Sequence, residues 1–394
     1  MLDFIGNKVT HCDGVSRRCF LQTGAPLLGL GLPALLRAEE KAGSRVTGGK
    51  SLIVFWTHGG MSQQDTYDMK PLAPAEYRGM YMPIKTSQPG ITVGERFPLQ
   101  AQVMQHISQV RSVHHGNGIH APSAHWVQTG FFGPTLARNS AQRPSFGSVI
   151  SRTLGARAPL MPAYVTVPKA EAFGYQGAVY LGQKFNPFEV GADPNGKDFK
   201  VPNLALPGGL TLENISSRKR LLKSFDSLQK GIDRSGVQEG LDTFKQQALE
   251  MVTGEHVRNA FDIESEEDTL RDKYGRHLYG QGALLARRLV EAGSRVVTVN
   301  TGYWDHHDNI EKGLEEHLPP LDRAIWALVE DLEDRGMLDD VIIYCAGEFG
   351  RTPAVEIPIG RTSPPTGRDH NHHGFTIWLA GGGVKGGMAY GNTD

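Results

Sequence analysis

His120-Ala121-Pro122-Ser123-Ala124-His125-Trp126-Val127-Gln128-Thr129-Gly130 is the stretch on which the reading of this chain turns. It has the marks of a short helix, with Ser123 able to cap its start and Thr129-Gly130 ending it. His120 stands at the helix N-terminus, where backbone N–H groups attract anions. An imidazole there can act as nucleophile, as general base near neutral pH or as metal ligand, or can make a structural hydrogen bond. His125, one turn past Ala121, suits core and site equally.

Outward from this helix, continuous apolar runs read as strands buried on both faces: Ser51–Thr57, Arg295–Asn300, Val341–Ala346 and Phe375–Ala380. Helical spacing runs from Leu278 to Ala292, closing on Gly293, and from Leu321 to Arg335, closing on Gly336. Strand–helix alternation of this kind implies a mostly parallel sheet covered on both faces, with the ligand site beyond the carboxyl ends of the strands. The polar clusters His58–Asp68, Asp305–Asp308 and Glu348–Arg351 hold that position. Gly208–Asp272 is charged and helix-prone, and reads as a peripheral helical insertion.

A chain of 394 residues, 39% hydrophobic and 21% charged, suits a soluble globular protein, and 48 glycines with 23 prolines imply many loops. The formal net charge of −1, with no basic stripe, argues against a nucleic-acid partner. Ser16-Arg17-Arg18-Cys19-Phe20-Leu21 reads as a twin-arginine export signal, followed by an apolar run of about twelve residues, too short for a transmembrane helix. The expected order is a signal segment 1–38, a linker 39–50 and one domain 51–394, exported to the periplasm or outside the cell. Losing residues 1–38 removes four basic and two acidic residues and takes the net charge from −1 to −3. Cys12 and Cys19 leave with it, so Cys345 alone remains and no internal disulfide can form.

Several segments together resemble a bacterial family of sulfatase-like proteins, domain of unknown function 1501, in the alkaline phosphatase-like superfamily. They are Gly59–Pro71, Arg111–Gly130, Leu284–His307, Gly347–Pro353, Gly367–Phe375 and Leu379–Gly387. Laid on the sulfatase signature C-x-P-S-R-x-x-x-L-T-G, the stretch at 120–130 keeps the Pro, Ser and Thr-Gly. It carries His120 and Ala124 where sulfatases have the Cys matured to formylglycine and its Arg, so a formylglycine mechanism is rejected. The resemblance implies a three-layer α/β/α sandwich with a mostly parallel central sheet. It also implies a family that continues past Asp394, so the last strands and helix of the fold are expected to lie beyond this chain.

That superfamily binds one or two divalent metals at strand ends, and the carry-over is mixed. The first-strand aspartates correspond to Thr57 and His58, with Asp65 and Asp68 close by, and the later Asp-His or Asp-Asn pair to Glu348-Phe349. Metal candidates are His58, Asp65, Asp305, His307, Glu348, Asp369 and His370. Neighbours on an extended segment point to opposite sides, so at most one of His306 and His307 faces the site, and the resemblance favours His307. Imidazole with carboxylate suits zinc or another transition metal better than calcium. His120 and Arg351 are the catalytic candidates, Arg351 as an anion clamp or as half of a salt bridge. Gly59, Gly60, Ser62 and Ser123 are the substrate-binding candidates, the glycine loop being either an oxyanion cradle or a tight turn. The expected function is metal-assisted hydrolysis of sulfate or phosphate esters, on a small anionic ester or a sulfated polysaccharide. The alternative is a non-catalytic protein that binds polysaccharide or a partner protein.

Overall fold

The structure is a computed structural model that describes residues 49–132, 142–170, 174–204, 254–355 and 366–393. The expected signal segment, residues 39–48 of the linker and residues 208–253 of the expected insertion lie outside them. The chain divides into two compact units between Gly49 and Lys50, and the fold described is that of the unit Lys50–Asp394.

Its centre is an eight-stranded sheet. In chain order the strands of the chain are β1 (Ser51–Trp56), β2 (Pro83–Lys85), β3 (Thr92–Gly94), β4 (Ile107–Val113), β5 (Tyr164–Val167), β6 (Phe188–Glu189), β7 (Val296–Asn300), β8 (Val341–Ala346), β9 (Gly350–Arg351), β10 (His370–Asn371), β11 (Phe375–Gly381) and β12 (Met388–Tyr390). The central sheet runs β12-β4-β11-β8-β1-β7-β5-β6, while β2–β3 and β9–β10 pair separately. Every pairing in the central sheet is parallel except those of β11, which runs antiparallel to both β4 and β8. The start of β11 therefore sits at the rim where its neighbours end.

The six longer described helices are α1 (His120–Thr129), α2 (Phe146–Leu154), α3 (Glu255–Phe261), α4 (Asp268–Tyr274), α5 (Leu278–Glu291) and α6 (Ile310–Asp334). Alternation along β1 shows why both faces are covered. Ile53 and Phe55 join the core formed with α5 and α6, whereas Val54 and Trp56 pack with Ala124 of α1 and Phe146 of α2. The result is the three-layer α/β/α sandwich with a mostly parallel central sheet that the sequence implies. Leu284, Leu285, Leu289 and Val290 on α5 have no exposed surface, and full burial of such a side chain is worth about 1.5–3 kcal/mol. No helix among the described residues is long and apolar enough to cross a membrane.

The four apolar runs are strands, and the helix expected over 278–292 is α5. The other expected helix, 321–335, begins eleven residues earlier and continues through Pro319-Pro320. Each proline removes one N–H from the ladder, yet neither is buried, so the carbonyls left over can turn to water.

Asp322, on α6, ties this helix to the segment before β4: its oxygens accept from the N–H of Leu99 at 2.9 Å and of Gln100 at 2.7 Å. Burial pushes its carboxyl up to about 6, against the pull of these backbone donors. The native state thus prefers the protonated form. The stabilisation is complete below the unfolded value near 4 and is lost as pH rises through about 6. Comparing urea unfolding of the parent and Asp322→Asn between pH 4 and 7 should show the parent losing about 2–3 kcal/mol more. Parallel curves would remove Asp322 as the titrating group.

Candidate metal centre

Every element of the site ends at one rim. His58–Gly60 follow β1, Asp305–His307 follow β7, Glu348 follows β8, His120 opens α1 and His370 lies just before β11. The turn after β1 needs its glycines: Gly59 has φ 101°, and a Cβ there would stand 2.6 Å from the backbone nitrogen of Asp305. Gly60, at φ 86°, lies equally close against Phe349. This tight fit lets the β1 loop, the β7 loop and the β8 loop meet.

Where they meet, one ligand atom each from His120, Asp305, His307 and His370 lies within 4.8 Å of the others. His307 Nε2 and His370 Nε2 approach Asp305 Oδ1 at 2.9 and 3.1 Å, and His120 Nε2 approaches Oδ2 at 3.2 Å. The opposite nitrogens are held from outside. His120 Nδ1 donates to Glu348 Oε1 at 2.7 Å, His370 Nδ1 donates to the Gly118 carbonyl at 2.7 Å, and His307 Nδ1 faces Asp369 Oδ1 at 3.5 Å. Carboxylate and carbonyl oxygens only accept, so Nδ1 of His120 and of His370 donates outward and, in the neutral rings, their Nε2 lone pairs face inward. His307 lies nearer Asp305 than Asp369 and donates inward from Nε2. His307 Nε2 and His370 Nε2 are 3.0 Å apart. The lone pairs of His120 and His370 also face the Asp305 carboxylate, a repulsion that an extra proton or a cation among them would relieve.

Electrostatics agree with an inward focus of charge. Burial alone would raise the Asp305 carboxyl, but the imidazoles of His120, His307 and His370, which donate to it when they carry a proton on Nε2, and the charge of Arg351 hold it far below the usual carboxylate range. Burial pulls the His120 imidazole down, and Asp305 with Glu348 outweighs it to raise the net value. The Tyr303 hydroxyl adds a 2.8 Å hydrogen bond to Asp305 Oδ2. Access remains: the side chains of His307 and Asp369 are 25% and 36% exposed.

The other sequence candidates fall around this cluster in different ways. Glu348 is fully buried; its Oε1 holds both His120 and the Gly59 N–H at 2.8 Å, which makes it a support for the cluster. His307 turns inward, whereas His306 turns away and stacks on His317 with ring centroids 5.6 Å apart. Burial, then His317 and Arg351, bring the His306 pKa down to about 4, so it is neutral. His58 lies outside the four-residue cluster and packs edge-on against Tyr303, with ring centroids 5.5 Å apart. Asp65 is no ligand here: it forms a buried pair with Arg368 at 2.9 Å and accepts from Ser62 Oγ at 2.6 Å. Asp369 sits outside, behind His307.

Four expected anion contacts are committed inward. The Gly59 N–H goes to Glu348, and the Gly60 N–H to Thr57 O at 3.1 Å, so the loop is a tight turn rather than an oxyanion cradle. Ser62 is bound to Asp65, and Ser123 does not cap α1 but donates to the Asn117 carbonyl at 2.7 Å. Arg351 is fully buried and is not an anion clamp. Its guanidinium donates to the carbonyls of Gly59, Gly60 and Arg368 and to Asp305 Oδ1, joining three loops.

Sequence reasoning passed over Tyr303 and Gly118. Tyr303 had a signal, because a residue two before Asp305 on an extended segment lies on the same side. Nothing local marks the Gly118 carbonyl.

Fold and site together define an α/β sandwich protein with an imidazole–carboxylate cluster, able to hold a metal ion, at the carboxyl rim of its sheet. The family described as "Protein of unknown function (DUF1501)" matches residues 49–394, and the chain belongs to that family. No curated protein sequence matches it. Among solved structures it is similar to the PsFucS1 sulfatase from Pseudoalteromonas sp., with 14% identity, TM-score 0.38 and coverage of 90% of this chain and 66% of that one. The lipoteichoic acid synthase LtaP from Listeria monocytogenes gives 10% identity, TM-score 0.39 and coverage of 87% and 67%. Alkaline phosphatase from the Antarctic bacterium TAB5 gives 10%, 0.36, and 88% and 95%.

Replacing Arg351 by Met should lower the unfolding free energy by about 3–5 kcal/mol, since it strands a buried carboxylate and three carbonyls. The readout is the urea midpoint at unchanged m-value. A midpoint equal to the parent's would show that the three loops hold together without the guanidinium.

Proposed function

We propose that His120, His307 and His370, through Nε2, and Asp305 hold one divalent cation, and that the chain is an exported metal-assisted hydrolase of sulfate or phosphate esters. The observation that carries the proposal is the convergence of three oriented Nε2 atoms on one carboxylate. With metal–nitrogen bonds of about 2.0–2.1 Å, ligand atoms around a tetrahedral ion stand roughly 3.3 Å apart. Among His307, His370 and Asp305 Oδ1 the contacts of 2.9, 3.0 and 3.1 Å are close to that edge. His120 Nε2 reaches the other carboxylate oxygen at 3.2 Å, and all four residues offer ligand atoms within 4.8 Å of one another. Three imidazoles with one carboxylate favour zinc or another transition metal over calcium, which wants six or more oxygens.

A bound divalent cation supplies Lewis acidity toward an ester oxygen and acidifies water. The chain's own residues do the rest. Glu348 and Gly118 fix the imidazole tautomers, Arg351 keeps Asp305 ionised and aimed, and Tyr303 places a hydroxyl beside the ligand carboxylate. His120 is read as a ligand rather than a covalent nucleophile, because both its ring nitrogens are engaged within the cluster. Among the described residues the one cysteine, Cys345, is buried in β8, which fits the rejection of formylglycine chemistry.

Metal analysis of purified protein should find about one transition-metal ion per chain. His307→Ala and His370→Ala should lose it, and Glu348→Gln should weaken it about 10–100-fold while the protein stays folded. Zinc- or manganese-loaded protein should turn over an aryl sulfate or an aryl phosphate. Protein that binds none of these metals would end the proposal. Metal binding without turnover of either ester selects the second reading, a binding protein, which the inward commitment of Gly59, Gly60, Ser62 and Ser123 favours. Export is tested separately: Arg17→Lys with Arg18→Lys should retain the protein in the cytoplasmic fraction, and unchanged fractionation would argue against the twin-arginine route.

A further inference from the structure

We propose that the same rim carries a second site, built on Arg111, Lys70 and Asp68, that binds a tetrahedral oxyanion such as sulfate or phosphate. It goes beyond the hydrolase reading and needs no metal. A cavity of about 490 Å³ opens there, lined by Asp68, Lys70, Arg111, Thr92 and Asn392 among others. None of these residues takes part in the cluster around Asp305.

Strand order places it. Arg111 stands near the end of β4, which runs parallel to β8, so it faces the rim that carries the metal centre. β4 is the neighbour of β11, whose leading residues include His370. Strands in a sheet are about 4.8 Å apart, so the cavity lies a few strand spacings along the rim from the cluster. One extended molecule can span that separation.

Charge and geometry then favour an anion. The lining holds two cations, Lys70 and Arg111, and one carboxylate. Asp68 is already well served: Oδ2 accepts from the Thr393 N–H at 3.1 Å, from Thr393 Oγ1 at 2.8 Å and from Lys70 at 3.0 Å. Arg111 reaches its Oδ1 only at 3.5 Å. The guanidinium is held instead by Gln109 Oε1, 2.9 Å from Nε and 2.7 Å from Nη2, and Gln109 is fully buried. Among the described residues, three of the five guanidinium N–H groups therefore have partners. A rigid fork with donors to spare matches a tetrahedral oxyanion, with Lys70 as a point charge beside it. Asp68 takes one N–H of Arg111, through Nη1 at 3.5 Å, and leaves the rest of the fork to Gln109 and the cavity.

The test is calorimetric titration of metal-stripped protein with inorganic sulfate, with inorganic phosphate, and with a sulfated disaccharide and its unsulfated counterpart. Binding of the sulfated sugar but not its counterpart is expected, weakening as salt is added. Lys70→Gln should weaken it about fivefold. Arg111→Lys, which keeps the charge and loses the fork, should weaken it about tenfold, with Tm measured to show that the variant is folded. His307→Ala, which removes the metal centre, should leave this affinity in place, so the two sites fail separately. Sulfated sugar bound more tightly than inorganic sulfate assigns the site to substrate; equal affinities assign it to free oxyanion. Absence of binding by every probe, or affinities unchanged in both Lys70→Gln and Arg111→Lys, overturns the site.

Discussion

The Asp305 carboxylate is the point on which the rim depends. It receives a guanidinium, a tyrosine hydroxyl and three imidazole edges, and every one of these groups comes from a different place in the chain or is itself held by a further oxygen. Concentrating donors this way is costly for neutral rings, because the same hydrogen bonds that orient Nδ1 outward leave Nε2 without a proton to give. The cluster is thus electrostatically complete only when it gains positive charge, as a proton or as a cation. That requirement makes a metal the simplest reading of the geometry.

Topology supplies the convergence. In a wholly parallel sheet, the segment before a strand would open at the opposite rim from the segments that follow the others. Reversal of β11 brings its leading residues, His370 among them, to the carboxyl ends of β7, β1 and β8. The short β9–β10 pair then fixes their height, since His370 sits opposite Arg351 in its register. One antiparallel strand in a parallel sheet is therefore part of the site as much as of the fold.

Much of this was legible in the sequence, for definite reasons. Apolar runs ending in polar residues marked β1, β7, β8 and β11 and put Asp305, Glu348 and His58 at strand ends. Alternation on an extended segment admitted only one of His306 and His307 to the site, and the family resemblance favoured His307. Other features had no local trace. β4, with Gln109, Arg111 and Ser112 interleaved, is only half buried and lacks a continuous apolar run. The prolines of α6 hide its first half from any helix rule. Asp65 reads as a ligand until Arg368, 303 positions away in the chain, closes on it. Arg351 reads as a clamp until burial makes it a joint. Pairings at such distance follow from the fold, and spacing in the sequence does not encode them.

Because Arg351, Arg368, Ser62 and the Gly59-Gly60 amides all face inward, the machinery that positions the cluster offers few groups to an arriving anion. Ordinarily an ester site couples a cation to nearby donors that hold the remaining oxygens. Here the donors are consumed in keeping three loops together, so a cation held there would have little local help in binding an ester. On the proposed hydrolase reading, recognition of an anionic substrate would come from groups farther along the rim. The guanidinium of Arg111, near the end of β4 and held by the buried Gln109, is one described feature with that chemistry.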